Sequence, residues 1–423
     1  MPFTATIGEQ PMKTDEPEKG ADELDDKMTA SEWLEQSALP TENSSKGELQ
    51  NSLHDSSDDD IRYGQGKFIQ SYSKLTLDSI ARACVSAEAR DAQAIRAMDI
   101  SPDGTEVVIG TNSRALRILD LVEPLSTALS HSASHGNFLP LLPVSMEKHK
   151  HHSSSIYATT YNLPGVGGSE AHHPLMVASG AADSSIKVFP RASPNEEVWI
   201  RSHAGKCRAL QFVSPHLLCS AASGDLVIRC WDLEGASTTC IQRFDGHVGE
   251  IQALALDLTS QAGWIDSRCM VSSAMDRTVR LWDLRSAQCV RVLVKTPSPA
   301  FTVAFQPQVT ASAASVIATG HQDGSVSLWD LRYTKGGQRP LASVSHHRDE
   351  CRAASWSPDG RWLLSASFDG TVCLLETSKM EPLAPVSSFH QHLDKILQAL
   401  WHPSQPAIIT TGADKFVKLW SFS

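Results

Sequence analysis

The chain has 423 residues, 41% of them hydrophobic, and a formal net charge of −11. Residues 1–60 carry 16 acids and 4 bases, a net of −12, which leaves 32 acids, 33 bases and a net of +1 for residues 61–423. A near-neutral body excludes a general electrostatic case for nucleic acid, and with no run approaching about eighteen apolar residues no membrane span is expected. The N-terminus, Met1-Pro-Phe-Thr-Ala-Thr, lacks the basic-then-apolar pattern of a signal peptide. Nine cysteines, an odd number without any Cys-x-x-Cys, indicate neither a disulfide framework nor a zinc site, and fit a reducing, cytoplasmic setting.

In chain order, residues 1–60 are rich in Glu, Asp, Ser and Lys and poor in apolar side chains. Such a composition does not bury enough surface to offset the entropy of ordering, so a disordered acidic tail is expected there. Within it, Thr29-Ala-Ser-Glu32 has the form of a capping box ahead of Trp33, Leu34 and Leu39; a transient helical turn is the expectation, a linear docking motif the alternative. Residues 68–77, with Phe68, Ser71, Lys74 and Leu77, read as a β-strand.

From about residue 95 a unit recurs: an aspartate in a turn, apolar residues, then an aromatic six positions on. It is complete at Asp225 and Trp231, Asp276 and Trp282, Asp323 and Trp329, and Asp414 and Trp420, and degenerate at Asp183 and Phe189 and at Asp369 and Leu375. Successive turn aspartates lie 42 to 51 residues apart, the period of a four-stranded blade. A further copy at Ser101-Pro-Asp-Gly104 and Leu116–Leu119 has Ser113 in place of the aspartate. Seven copies predict an all-β fold, a seven-bladed propeller over residues 61–423. The last copy ends on its third strand, so the strand at 68–77 is expected to complete that blade and close the ring. Residues 122–148 and 162–174 lack periodicity and are expected to be surface loops. The histidines in and near them (His131, His135, His149, His151, His152, His172 and His173) have no carboxylate or cysteine at ligand spacing, so no metal site is expected.

Gly246-His247, Asp276 and Trp282-Asp283 match the repeat signature of the WD40 family, which the chain resembles over residues 67–423. The resemblance implies buried hydrogen-bond chains through His203, Ser220, Asp225 and Trp231; through His247, Ser272 or Ser273, Asp276 and Trp282; and through His392, Thr410 or Thr411, Asp414 and Trp420. A buried imidazole and carboxylate are tolerable only when paired. Because the His, Ser, Asp trio recurs in several copies, it is not expected to be a hydrolase triad, and no catalytic residue or cofactor is indicated. Four segments, at Asp91–Met98, Lys148–Tyr157, Arg277–Arg285 and His392–His402, resemble more closely the C-terminal propeller of the nemitin (WD-repeat protein 47) family. That resemblance implies a microtubule-associated adaptor of cytoskeleton or cilium, with tubulin, minus-end-binding proteins or other microtubule-associated proteins as partners. The family carries a helical dimerisation region ahead of its propeller where this chain has the acidic tail, so that region's functions are not carried over and the oligomeric state stays open.

In propellers of this family the channel mouth is lined by the residue five positions after the repeat histidine and by the residue before the turn aspartate. Here these are Arg96, Tyr157, Arg208, Gln252, Thr302, Arg352 and Leu397, and Ala182, Met275, Gln322, Phe368 and Ala413. Arginine forks pair carboxylates, and Tyr157, Met275 and Phe368 offer apolar anchors, so an acidic, partly extended peptide is the expected ligand. The chain's own tail, with Asp58-Asp59-Asp60, is a competitor, and local pairing of the arginines with Asp349, Glu350 or Asp394 is the alternative. Trp282-Asp-Leu-Arg285 and Trp329-Asp-Leu-Arg332 resemble the box by which propellers dock on the adaptor of cullin-4 ubiquitin ligases, which makes a substrate receptor the competing function.

Overall fold

A computed structural model describes residues 72, 75–76, 79–80 and 83–422, apart from 131–138, 163–173, 202, 235–237, 257–268, 287, 308–315, 332–338, 378–384 and 391. Seven four-stranded antiparallel sheets are present. Their innermost strands neighbour one another in cyclic order, the last returning to the first, so the sheets are the blades of a closed propeller. Blades 1 to 7 begin at Ile95–Ile100, Ile156–Tyr161, Cys207–Phe212, Ile251–Leu256, Ala300–Phe305, Cys351–Trp356 and Ile396–Trp401. The expected acidic tail, 1–60, lies outside the described residues.

Burial follows position in the blade. Second strands such as Val316–His321, Trp362–Ser367 and Ala407–Gly412 are covered on both faces by the adjoining blades and are buried at every position. Outermost strands such as Thr239–Phe244 are mostly open to solvent. The core is accordingly a ring of seven apolar clusters, each shared by two neighbouring blades. The turn between second and third strands puts one residue at positive φ in every blade: Arg114, Ser184, Leu226, Arg277, Gly324, Gly370 and Lys415. At Gly324 an added Cβ would stand 2.4 Å from the His347 carbonyl oxygen, so this turn requires glycine.

The ring is closed by an N-terminal strand, but not by the one expected. Cys84–Arg90 completes blade 7, pairing antiparallel with Phe416–Ser421 from Cys84 opposite Ser421 to Arg90 opposite Phe416. Of the expected strand, Tyr72 and Leu75 are described and buried, yet they join the cluster between blades 6 and 7 beside Trp401, Trp420 and Phe422. Tyr72 lies edge-on to Trp401 at 5.8 Å, and the single proton of its hydroxyl is shared between the carbonyls of His402 and Gln405. Apolar content drew the sequence reading to 68–77. The true closing strand, Cys-Val-Ser-Ala-Glu-Ala-Arg, buries only the modest Val85 and Ala87, and takes its conformation from the open edge it satisfies.

Residues 122–148 also depart from the expected plain loop. They contain a helix, Val122–Ser130, whose Leu125 enters the cluster between blades 7 and 1, and the fourth strand of blade 1, Val144–Lys148. Just before that strand the chain crosses the outer edge of the closing strand. There Glu88 N–H donates to the Pro140 carbonyl at 3.1 Å, and Leu142 N–H to the Glu88 carbonyl at 2.9 Å. An edge that would otherwise stay open is thereby partly paired.

Candidate functional site

The polar chains inside the blades are built from the loop ahead of the first strand, the second strand, the turn after it and the third strand. In blade 4 the His247 Nδ1–H donates to Asp276 at 2.8 Å, Nε2 meets the Ser272 hydroxyl at 2.6 Å, and Trp282 Nε1–H donates to that same hydroxyl at 2.7 Å. With the imidazole neutral, each proton in the chain has one acceptor. Blade 3 repeats the arrangement with His203, Asp225, Ser220 and Trp231, at 2.9, 2.6 and 2.7 Å. Blade 7 does so with His392, Asp414, Thr410 and Trp420, at 2.8, 2.8 and 2.9 Å. Of the paired choices in the sequence, Ser272 and Thr410 are the members. The Ser273 and Thr411 hydroxyls are buried without a partner among the described residues. Burial, the largest single influence, would raise the carboxyls of Asp276 and Asp414, but the paired histidine and the further hydrogen bonds from Thr278, or from the Phe416 and Leu393 N–H groups, together outweigh it and hold both below the ordinary range. Burial pushes His203 and His347 down.

Two blades reach the same satisfaction by substitutes; sequence reasoning found Phe189 at its offset from Asp183 but missed the histidine roles. Blade 5 has no histidine ahead of its first strand; His321, from the end of its second strand, supplies the ring instead. Its Nε2 meets Thr319 at 2.9 Å and its Nδ1 the Ser298 carbonyl at 3.3 Å, while Trp329 donates to Thr319 at 2.8 Å. In blade 2, Phe189 stands in for the indole, and His151 Nε2 reaches Ser179 at 3.0 Å alongside His152 at 2.9 Å. The sequence signal was present in both cases: a histidine two residues before the turn aspartate, and a doubled histidine. Because these hydroxyls are buried in every such chain, none is presented to a substrate. Among the described residues no group of three or more His, Cys, Asp or Glu is gathered to hold a metal, and His131, His135, His172 and His173 lie outside them. No helix of the described residues is long and apolar enough to cross a membrane.

The channel mouth is shaped by a repeated irregularity. Each innermost strand slips register after its first residue, at Arg96, Tyr157, Arg208, Gln252, Phe301, Arg352 and Leu397. A bulge of this kind re-aims a side chain, while the residue before it is fully buried or nearly so in every blade. The blade 5 position is therefore Phe301 and not the aligned Thr302, an error of one residue where no histidine anchored the count. Around this ring lies a second one. Backbone N–H groups of Asn112, Ala182, Ser223, Met275, Gln322, Phe368 and Ala413 donate to carbonyls just ahead of the innermost strands. Met275, 36% exposed, presents a thioether there.

Cations and aromatic rings alternate along this surface. The Arg96 and Arg208 guanidinium groups stand 5.0 and 5.6 Å from the Tyr157 ring centre. Arg352 stands 4.3 Å from Phe301 and 5.0 Å from Phe368, and Lys395 is 4.4 Å from Phe368. Burial, opposed by Glu350 and reinforced by Arg208 and Arg96, lowers the pKa of Arg352, so the three arginines feel one another across blades. Local acids compete only loosely: Glu250 is 3.6 Å from Arg208 and Glu350 is 3.7 Å from Arg352. Asp349 and Asp394 instead accept the N–H of the following residue, each at 2.8 Å. Arg96 donates to Asn112 at 2.5 Å, and the Gln252 amide to the Glu250 carbonyl at 3.4 Å.

Comparison with known proteins agrees with this architecture. Residues 238–283, 338–375 and 383–421 match the WD40 family model, described as WD domain, G-beta repeat. The chain is similar to protein tipD of Dictyostelium discoideum, at 23% identity over 64% of this chain and 47% of tipD. It is similar to the protein LST8 homolog of Drosophila melanogaster, at 27% identity over 58% of this chain and 75% of that protein. It is also similar to pre-mRNA-processing factor 19 of Oryza sativa subsp. japonica, at 24% identity over 69% of this chain and 52% of the factor. The chain thus spans about half the length of tipD and of the processing factor. The chain is therefore one seven-bladed propeller, in which residues 238–283, 338–375 and 383–421 match the WD40 repeat.

Proposed function

We propose that this propeller is a non-catalytic protein-interaction platform whose channel mouth captures an acidic, partly extended peptide. One observation carries the reading: Arg96, Arg208 and Arg352, from blades 1, 3 and 6, converge on one surface with Tyr157, Phe301 and Phe368 set between them. Fixed arginine forks on aromatic faces favour carboxylates with apolar neighbours. The relatives' names share no activity, pre-mRNA processing being named in one of the three alone, which fits a shared scaffold better than a shared reaction. The finer reading is a microtubule or ciliary adaptor in the cytoplasm, with acidic tubulin tails as the ligand. Its support is the nemitin-like sequence at 91–98, 148–157, 277–285 and 392–402, the first two of which contain Arg96 and Tyr157. The test is Arg96→Glu, Arg208→Glu and Arg352→Glu together, with microtubule co-sedimentation and acidic-peptide binding measured across a salt series. Abolished binding with an unchanged circular dichroism spectrum supports the reading; unchanged affinity rejects it.

The second reading is a cullin-4 substrate receptor. It is favoured by Arg285, whose side chain is exposed rather than folded into its blade; Arg332 lies outside the described residues. Co-purification with a cullin adaptor, lost in Arg285→Ala with Arg332→Ala, would replace the microtubule reading.

A further inference from the structure

Seven links carry the chain from the outermost strand of one blade to the innermost strand of the next, and they cross the face that holds the channel mouth. Several are of mixed charge: Asp245 and Glu250 lie in one, Asp349 and Glu350 in another, Asp394 in a third. The link from blade 2 to blade 3 differs. Residues 201–208 carry Arg201, Lys206 and Arg208 and no acid, a combination that none of the other six links has.

Both neighbouring blades fix its course. Gly205 N–H donates to the Ser184 hydroxyl at 3.1 Å, on the turn of blade 2, and Lys206 N–H to the Ser223 hydroxyl at 3.2 Å, on the turn of blade 3. The carboxylates of those two turns are taken. Asp183 accepts the Ser153 N–H at 2.8 Å and the Ser185 hydroxyl at 2.6 Å, and Asp225 holds His203 and Arg229, each at 2.9 Å. Arg201 and Lys206 are exposed, and neither has a carboxylate partner among the described residues.

Each of these cations instead leans on an aromatic ring of blade 2. The Lys206 ammonium stands 5.6 Å from the centre of Tyr157, on the innermost strand, and the Arg201 guanidinium 4.7 Å from that of Trp199, on the outermost strand, Val198–Ile200. Trp199 is 47% exposed, whereas every other described tryptophan is buried. Three inter-strand spacings separate Tyr157 from Trp199, a span of about 14 Å, which about four residues of extended chain cover.

We propose that the acidic peptide captured at the channel mouth continues outward along this link, its carboxylates on Lys206 and Arg201 and an apolar side chain against Trp199. This rests on the peptide-capture reading and adds to it a length and a direction: about four further residues, leaving over blade 2 towards the outer rim. Charge complementarity selects the occupant, since the track offers exposed cations and open rings with no free acid between them.

The probes are acetyl-Glu-Glu-Phe-Glu-Glu amide and two longer peptides that add Glu-Phe-Glu-Glu at one end or the other, titrated calorimetrically into the full chain. One of the longer peptides is expected to bind about tenfold more tightly than the short one, the scale of two exposed ion pairs and one ring contact. Trp199→Ala with Arg201→Gln is expected to cancel that gain and to leave the short peptide's affinity unchanged, as neither residue belongs to the channel mouth. A short peptide that binds while neither longer one gains, or a gain that survives in the double variant, would overturn the track and spare the mouth. No binding of any of the three would overturn both. An oligouridylate of about ten nucleotides that binds as tightly as the better long peptide would overturn the assignment to a peptide. Should the double variant not fold, Lys206→Gln decides: it is expected to lose part of the gain, and a full gain there is equally fatal.

Discussion

Ser272 and Ser273 offer a controlled test of what fixes a blade. They are adjacent on one strand, both fully buried, and differ only in which face of the sheet they serve. Ser272→Ala deprives the Trp282 N–H of its acceptor and His247 Nε2 of its donor, in a place closed to water. A buried group left unpaired costs about 1–3 kcal/mol, so two put the loss at roughly 2–6 kcal/mol. Ser273→Ala removes a hydroxyl with no partner among the described residues, and its expected effect lies between zero and about 1 kcal/mol of stabilisation. The same atom deleted one position apart should therefore differ by roughly 3 kcal/mol, a large share of the about 5–15 kcal/mol that holds a typical domain. Urea unfolding followed by tryptophan fluorescence and circular dichroism, at a common m value, measures the contrast. A difference under about 1 kcal/mol, or Ser273→Ala as the more damaging change, would refute the view that the hydrogen-bond chain, and not burial alone, secures the blade.

The remaining expectations concern the substitutes and the seam. His321→Ala should cost about 2–4 kcal/mol, as both a cavity and an unpaired Thr319 result; a denaturation midpoint equal to that of the unaltered protein would mean blade 5 does without its relocated ring. Tyr72→Ala, which empties a fully buried site against Trp401, should cost about 3–5 kcal/mol, and Tyr72→Phe clearly less; equal losses would assign the whole effect to the hydroxyl. Acid should weaken the fold in two stages. His203, His321, His347 and His402 are held below their ordinary 6.5 chiefly by burial, so the unfolded chain takes up protons first and stability falls as pH drops below 6.5. Asp276 and Asp414 are held below 3.8, and their contribution is lost as pH falls from there through their folded values. Asp99, which burial raises to about 6, opposes this trend between 3.8 and 6, as one group against five once His151, also lowered chiefly by burial, is added. Denaturation midpoints that rise from pH 6.5 to 5 would contradict the assignment of neutral buried imidazoles.

Much of the blade architecture was legible because each blade repeats the same constraints: an aspartate that caps a turn, an indole that reaches a buried hydroxyl, and a spacing that four strands impose. Where a constraint was met by unlike residues, the sequence misled. His321 serves a chain whose usual member is absent, and its place two residues before Asp323 signals that role only once the empty position ahead of the first strand is noticed. Phe301 was missed for Thr302 because a bulge adds a residue that only a neighbouring anchor can locate. The closing strand was misplaced because its conformation comes from the edge of Phe416–Ser421, not from its own small and charged residues. Convergence of the arginines was readable from repeat offsets. Their rivalry with Glu250 and Glu350 was not, since it depends on side-chain reach between adjacent loops.

Arg90 and Phe416 pair across 326 intervening steps of chain. At about 5–20 residues per second of synthesis, the ribosome needs on the order of 16–65 s to deliver the second partner after the first. Throughout that interval the nascent Cys84–Arg90 segment waits for Phe416–Ser421, with only the Pro140–Leu142 stretch on its other edge already made. Its serine, glutamate and arginine make it a poor template for strangers, so the same blandness that hides it in the sequence protects the newborn chain from sticking before its final strand emerges.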